Sequence, residues 1–364
     1  MHVDPRVREI NTDNLDSLAR GCAILGTGGG GSVDTGLLSS RRALEESGPV
    51  EVVNLEELAD DAIVLPLCGI GAPTVSQEML DSEDGVIRLA EEVHRVMGRP
   101  IGAVMSSEIG GANGVQPVTW ASQLGVPLVD ADGMGRAFPE VQMVSMNVAG
   151  LPVNFIVLAD VIGNVTVIRP VNGEWSERLA RAVAVASGAH ALMADYIVSA
   201  SEARGAVIDG TVSHAVALGA ATTGESEPLA ALIDVLSARH LVTGKIIDIE
   251  RRTGGGFVRG SVVVEGTGPD RGRLVRVEIQ NENLVVLDDG VVLASVPDLI
   301  TLVDTTSAQA ISTESLRYGQ RVSVLAWACD PLWRTPRGLE VAGPRAFGYN
   351  LDYVPVEQIG AVHG

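Results

Sequence analysis

The chain has 364 residues, 46% of them hydrophobic, and no apolar run long enough to cross a bilayer. Its net charge of −20 repels nucleic acid and anionic membrane surfaces, and 3% aromatic content leaves no platform for stacking bases or sugars. Three widely spaced cysteines, Cys22, Cys68 and Cys329, fit neither a disulfide framework nor a zinc ribbon, so the expected setting is the cytoplasm and the expected partner a small molecule.

Apolar residues at 15, 18, 19, 22 and 25 have helical spacing, and a second helix-like stretch covers 37–46. Between them lies "ILGTGGGGS" (24–32). Apolar runs at 50–55 and 62–73 read as strands, and a helix is predicted over about 86–97. The strand-like run 100–113, a short helix at 118–125 and a further run at 126–135 continue the alternation, which predicts an α/β domain with a mainly parallel sheet over 1–170. Residues 154–170 read as paired strands that close this domain. The second domain, 171–364, is expected to be helical over 175–240, where alanine-rich stretches cover 176–204 and 211–239. It is expected to be β-rich over 244–357, with Asp289-Gly290 marking a hairpin turn.

The glycines Gly26, Gly28 and Gly31 match the dinucleotide fingerprint in form only. A helix rather than a strand precedes them, Asn54 stands where the ribose-binding acid should be, and the phosphate-loop lysine is absent. Close approach of backbone to a ligand or a neighbouring strand is the better reading of Gly28, Gly29, Gly30 and Gly31.

The strand ends carry more chemistry. Loops 68–74, 106–113 and 130–136 place Cys68, Glu108, Asn113, Asp130, Asp132 and Arg136 at one rim, where ligands bind in open α/β sheets. Asp130 and Asp132, two apart in an extended segment, point to one side and suit a metal or an acid/base pair; helix or turn capping is the alternative. Glu108 between an apolar run and Gly-Gly is hard to explain structurally. Cys68 is either a nucleophile or a small buried hydrophobe, and Arg136 either binds substrate or neutralises the neighbouring acids. His94, His214 and His240 look like packing or surface residues, and neither a Ser-His-Asp pattern nor HExxH is present.

The segments "LGTGGGGS", "CGIGAPTV", "SSEIGGANGVQPV" and "VPLVDADGMGRAFPEVQM" together resemble the N-terminal domain of the S-methyl-thiohydantoin desulfurase family. The segments "GKIIDIERRTGGGFVRG", "VPDLITLVD", "LRYGQRVSVLA" and "GPRAFGYNLDY" resemble its C-terminal domain, so the likeness spans nearly the whole chain. Ser32 departs from the Gly-Asp that many members carry at 31–32. The resemblance implies hydrolysis of a five-membered ring: water attacks the carbon bearing sulfur, hydrogen sulfide or a thiol leaves, and a hydantoin remains. Carboxylates Asp130, Asp132 and Glu108, with Cys68, would supply the base, nucleophile or metal ligands. Asn113, Arg136 and the glycine N–H groups would bind the ring. The resemblance leaves room for a divalent metal such as zinc, and a homo-oligomer functionally linked to a hydantoinase is expected. A non-catalytic subunit or sensor beside a hydantoinase is the alternative.

Overall fold

The computed structural model describes residues 6–71, 82–254 and 257–360; the distal part of the expected 68–74 loop lies outside them. Strand β1 (Glu9–Ile10) leads into helix α1 (Leu15–Leu25), the glycine stretch, and helix α2 (Val33–Ser47). Ser32 caps α2, its hydroxyl accepting the N–H of Asp34. Strands β2 (Val50–Val53) and β3 (Ile63–Gly71) follow. Helix α3 (Gly85–Met97) buries Val86, Leu89, Ala90 and Val93 on one face and stops at Gly98, which adopts φ +70°. Next come β4 (Ile101–Ser106), the single turn α4 (Ala112–Val115), α5 (Pro117–Leu124) and β5 (Leu128–Asp132).

Four strands, in the order β2-β5-β4-β3, run parallel. Ile63 to Cys68 are buried, as expected for a strand covered on both faces. The rest of this sheet is antiparallel. The hairpin β6 (Ile156–Ala159) and β7 (Val165–Ile168) confirms the paired strands expected there. After the single turn α6 (Ser145–Val148) and helix α7 (Gly173–Ala186), strands β8 (His190–Ala194), β9 (Val198–Ser199), which leads into the single turn α8 (Ala200–Ala203), and β10 (Ile208–Asp209) join β3 or β5 antiparallel. The sheet is therefore mixed rather than mainly parallel, and the helical stretch expected over 176–204 stops at Ser187. Strands of two to five residues are too short to show alternation, and their alanines carry a helical composition into a sheet.

Helices α9 (Thr211–Ala221) and α10 (Pro228–Leu236) restore the expected helical texture. Helix α9 packs against α1 so closely that a Cβ on Gly219 would sit 1.9 Å from the carbonyl oxygen of Ser17.

The β-rich part is an antiparallel sheet ordered β15-β14-β13-β12-β11-β17-β16, curled so that its edge strands approach each other. Its strands are β11 (Arg239–Gly254), β12 (Phe257–Gly266), β13 (Leu274–Gln280), β14 (Glu282–Asp288), β15 (Val291–Ser295), β16 (Leu299–Asp304) and β17 (Arg321–Trp327). The turn at Asp289-Gly290 has positive φ at both positions, the geometry a tight hairpin demands. One apolar core fills this sheet, and a larger one runs from the first sheet into Leu284, Val296, Leu299 and Trp333, joining the two halves.

Candidate active site

A cavity of about 110 Å³ opens beside the ends of β3 and β4. Cys68 and Gly69 line it from β3, Ser107 and Glu108 from the loop after β4, and Asn113 from the turn Ala112–Val115. Gly30 and Gly31 form another part of the wall.

Glu108 is 7% exposed. Asn113 Nδ2 donates to its Oε1 at 2.5 Å, and the N–H of Phe138 donates to its Oε2 at 3.2 Å. Asn113 is itself oriented by the N–H of Gly69, which donates to its Oδ1 at 2.7 Å. Burial, reinforced by the charge of Asp132, raises the Glu108 pKa to about 8 against these hydrogen bonds. A carboxyl group titrating near neutrality in a cavity can accept or deliver a proton. Cys68 lies in the same wall, but burial pushes its thiol well above the usual range, and Asp195 and Glu108 push it further.

Asp130 and Asp132 do not line the cavity. Asp130 accepts the N–H of Ser213 at 2.9 Å and its hydroxyl at 2.5 Å, tying β5 to the first turn of α9. Asp132 accepts the N–H groups of Ile109, Met134 and Gly135, closing the loops after β4 and β5 on one carboxylate. Burial nonetheless raises its pKa to about 7. Both are turn and cap anchors, the alternative that their spacing left open.

Arg136 also lies outside the wall, fully buried. Its guanidinium donates to the carbonyls of Pro297 and Asp298 and to the hydroxyl of Thr27, stacked 4.3 Å from the Phe138 ring centroid. Burial lowers its pKa to about 10, so it stays cationic, a clamp between the halves.

The glycine stretch separates into two parts. Gly28 and Gly29 lie under the β13–β14 hairpin: a Cβ on Gly29 would sit 2.0 Å from Oε1 of Glu282, and the N–H of Thr313 donates to the Gly28 carbonyl. Gly30 presses against the chain after β4, where its Cβ would sit 2.2 Å from the Gly110 carbonyl oxygen. The stretch joins helix Leu15–Leu25 to helix Val33–Ser47, not a strand to a helix, and Asn54 caps a single helical turn through Glu57. None of His94, His214 and His240 lines the cavity.

Several lining groups come from beyond residue 170 and were not singled out in the sequence. Asp195, just after β8, accepts the Ser107 hydroxyl at 3.2 Å, and burial raises its pKa to about 7. His190 and Arg181 line the same wall. Glu282 enters from the C-terminal sheet, 2% exposed. The signal for it was the run Gln280-Asn281-Glu282-Asn283, four polar residues between apolar strand segments, all of them buried. Among the described residues no three His, Cys, Asp or Glu side chains converge as a metal site would require.

The fold and site define a two-sheet α/β protein whose acidic cavity is built by both halves of the chain. The S-Me-THD-like N-terminal domain model matches residues 13–170 and the S-Me-THD-like C-terminal domain model matches residues 171–356, and the chain belongs to this family. Among solved structures, a protein from Chromobacterium violaceum is similar over 96% of this chain and 100% of its own, with a TM-score of 0.81 and 24% identity, which shows a shared fold. No curated protein matches the sequence significantly.

Proposed function

We propose that this cavity hydrolyses a thiohydantoin or S-methyl-thiohydantoin ring, or a related cyclic ureide, to the hydantoin with release of hydrogen sulfide or a thiol. The observation that carries the reading is Glu108, a buried carboxyl group with a pKa of about 8 in the wall of a ring-sized cavity, in a family whose name points to this chemistry. Ionised Glu108 takes a proton from water as the oxygen attacks the ring carbon bearing sulfur. When the C–S bond breaks, the same group returns that proton to sulfur, and the carbonyl of the hydantoin forms. Asn113 holds Glu108 in place, and Gly30 and Gly31 let the backbone approach the ring. Asp130, Asp132 and Arg136 act at one remove, fixing the loops that present these groups.

The test is incubation with an S-methyl-thiohydantoin in ¹⁸O-labelled water. The expected result is one methanethiol per labelled hydantoin, with kcat/KM rising with pH through about 8 as Glu108 ionises. Glu108→Gln is expected to lower kcat at least ~100-fold. Ring binding without turnover would make the protein a non-catalytic partner of a hydantoinase instead.

A further inference from the structure

The reaction moves two water protons, and Glu108 accounts for one. The other must reach the ring nitrogen that receives the C=N electron pair, and the hydroxyl of the tetrahedral intermediate must later lose its proton. Glu282 is placed for this exchange. It lines the cavity with Glu108, yet it comes from the opposite half of the chain, at the start of β14. Its Oε2 is buried, with no hydrogen-bond partner among the described residues. By contrast, Asp195 already receives the Ser107 hydroxyl.

The hairpin fixes Glu282 firmly. Asn283 donates from its N–H and from Nδ2 to the carbonyl of Thr27, and Asn281 exchanges hydrogen bonds with the backbone of Val258. Gly29 leaves room for the carboxyl group, because any side chain there would displace Oε1.

Resting on the function proposed above, we infer that Glu282 is the second catalytic carboxyl group, the acid that works opposite the base Glu108. As water attacks, Glu108 takes one proton and protonated Glu282 gives its own to the ring nitrogen. As the intermediate collapses, ionised Glu282 takes the hydroxyl proton while Glu108 protonates the departing sulfur. Both groups return to their starting states, and no further reactant is consumed. Burial, then the charges of Glu108 and Glu314, outweigh the opposing Arg136 guanidinium and raise the Glu282 pKa well above the carboxylate range, so at neutral pH it holds the proton this cycle requires.

The experiment compares wild type, Glu282→Gln, Glu282→Asp and Asp195→Asn by full pH–rate profiles on an S-methyl-thiohydantoin. Ring affinity is measured separately by calorimetry with the hydantoin product. Wild type should give a bell-shaped profile, its alkaline limb reporting loss of the Glu282 proton. Glu282→Gln should lower kcat at least ~100-fold, leave hydantoin affinity within about 3-fold and abolish the alkaline limb. Glu282→Asp should retain that limb at a reduced rate, which separates lost chemistry from a lost fold. An active wild type whose Glu282→Gln variant keeps both rate and alkaline limb overturns this inference alone, as does transfer of that limb to Asp195→Asn. A wild type that releases no thiol overturns the function on which it rests.

Discussion

Cys68 stands in the cavity wall with two carboxyl groups, Asp195 and Glu108, adding to the burial that keeps its thiol protonated. Thiolates used as nucleophiles need the reverse surroundings, a cation or a helix N-terminus that lowers the pKa. Cys68 is therefore a packing residue beside Glu108, the base proposed above. Cys68→Ala is expected to keep turnover within about 3-fold of wild type, since the thiol takes no part in the chemistry. A fall of two orders of magnitude, with the melting temperature unchanged, would restore it as a nucleophile. Cys68, Glu108 and Asn113 were legible in the sequence because each ends or follows an apolar strand, where a ligand can reach it. Asp195 was not, since nothing local in "MADY" sets it apart; the polar run "QNEN" marks Glu282 as unusual but does not show which distant loop it will face.

At the scale of the elements, the acidic pair shows how one pattern serves two purposes. Two aspartates in an extended segment do share a side, but that side faces the first turn of Thr211–Ala221 and the loop amides, not the cavity. Asp130→Asn keeps the shape but replaces a charged acceptor for two Ser213 donors. It should cost roughly 2 kcal/mol of stability in denaturant titrations, while turnover per folded molecule stays near wild type. Loss of turnover without loss of stability would return Asp130 to the chemistry. The glycine stretch follows the same logic of close approach. Gly30 has φ +73° and lies against the Gly110 carbonyl, so Gly30→Ala brings both backbone strain and a collision, about 2 kcal/mol or more. That the glycines mark a crowded crossing could be read from the absence of a preceding strand. That half of them are crowded by a hairpin more than 250 residues away could not.

For the whole molecule, the buried acids make stability depend on pH in a definite direction. Burial raises the Glu108 pKa to about 8 in the folded chain against 4.5 for a solvated glutamate, and those of Asp195 and Asp132 to about 7 against 3.8 for a solvated aspartate. In each case folding raises the affinity for a proton, so the folded chain binds more protons than the unfolded one between the two values. Stability from Glu108 is then fully present below about pH 4.5, falls through the interval, and levels off above about 8. The slope is on the order of 1 kcal/mol per pH unit for each such group. Self-repulsion from a net charge of −20 pushes the same way as pH rises, so the raw curve cannot isolate the site. The comparison that does is the difference between wild type and Glu108→Gln, whose surface charge is the same. The glutamine variant cannot release a proton at this position, so its stability curve should be flatter between pH 5 and 8 and should converge toward or exceed that of wild type at the alkaline end. Parallel curves across that range would mean that Glu108 is ionised throughout, and the acid/base role argued for it would fall with that result.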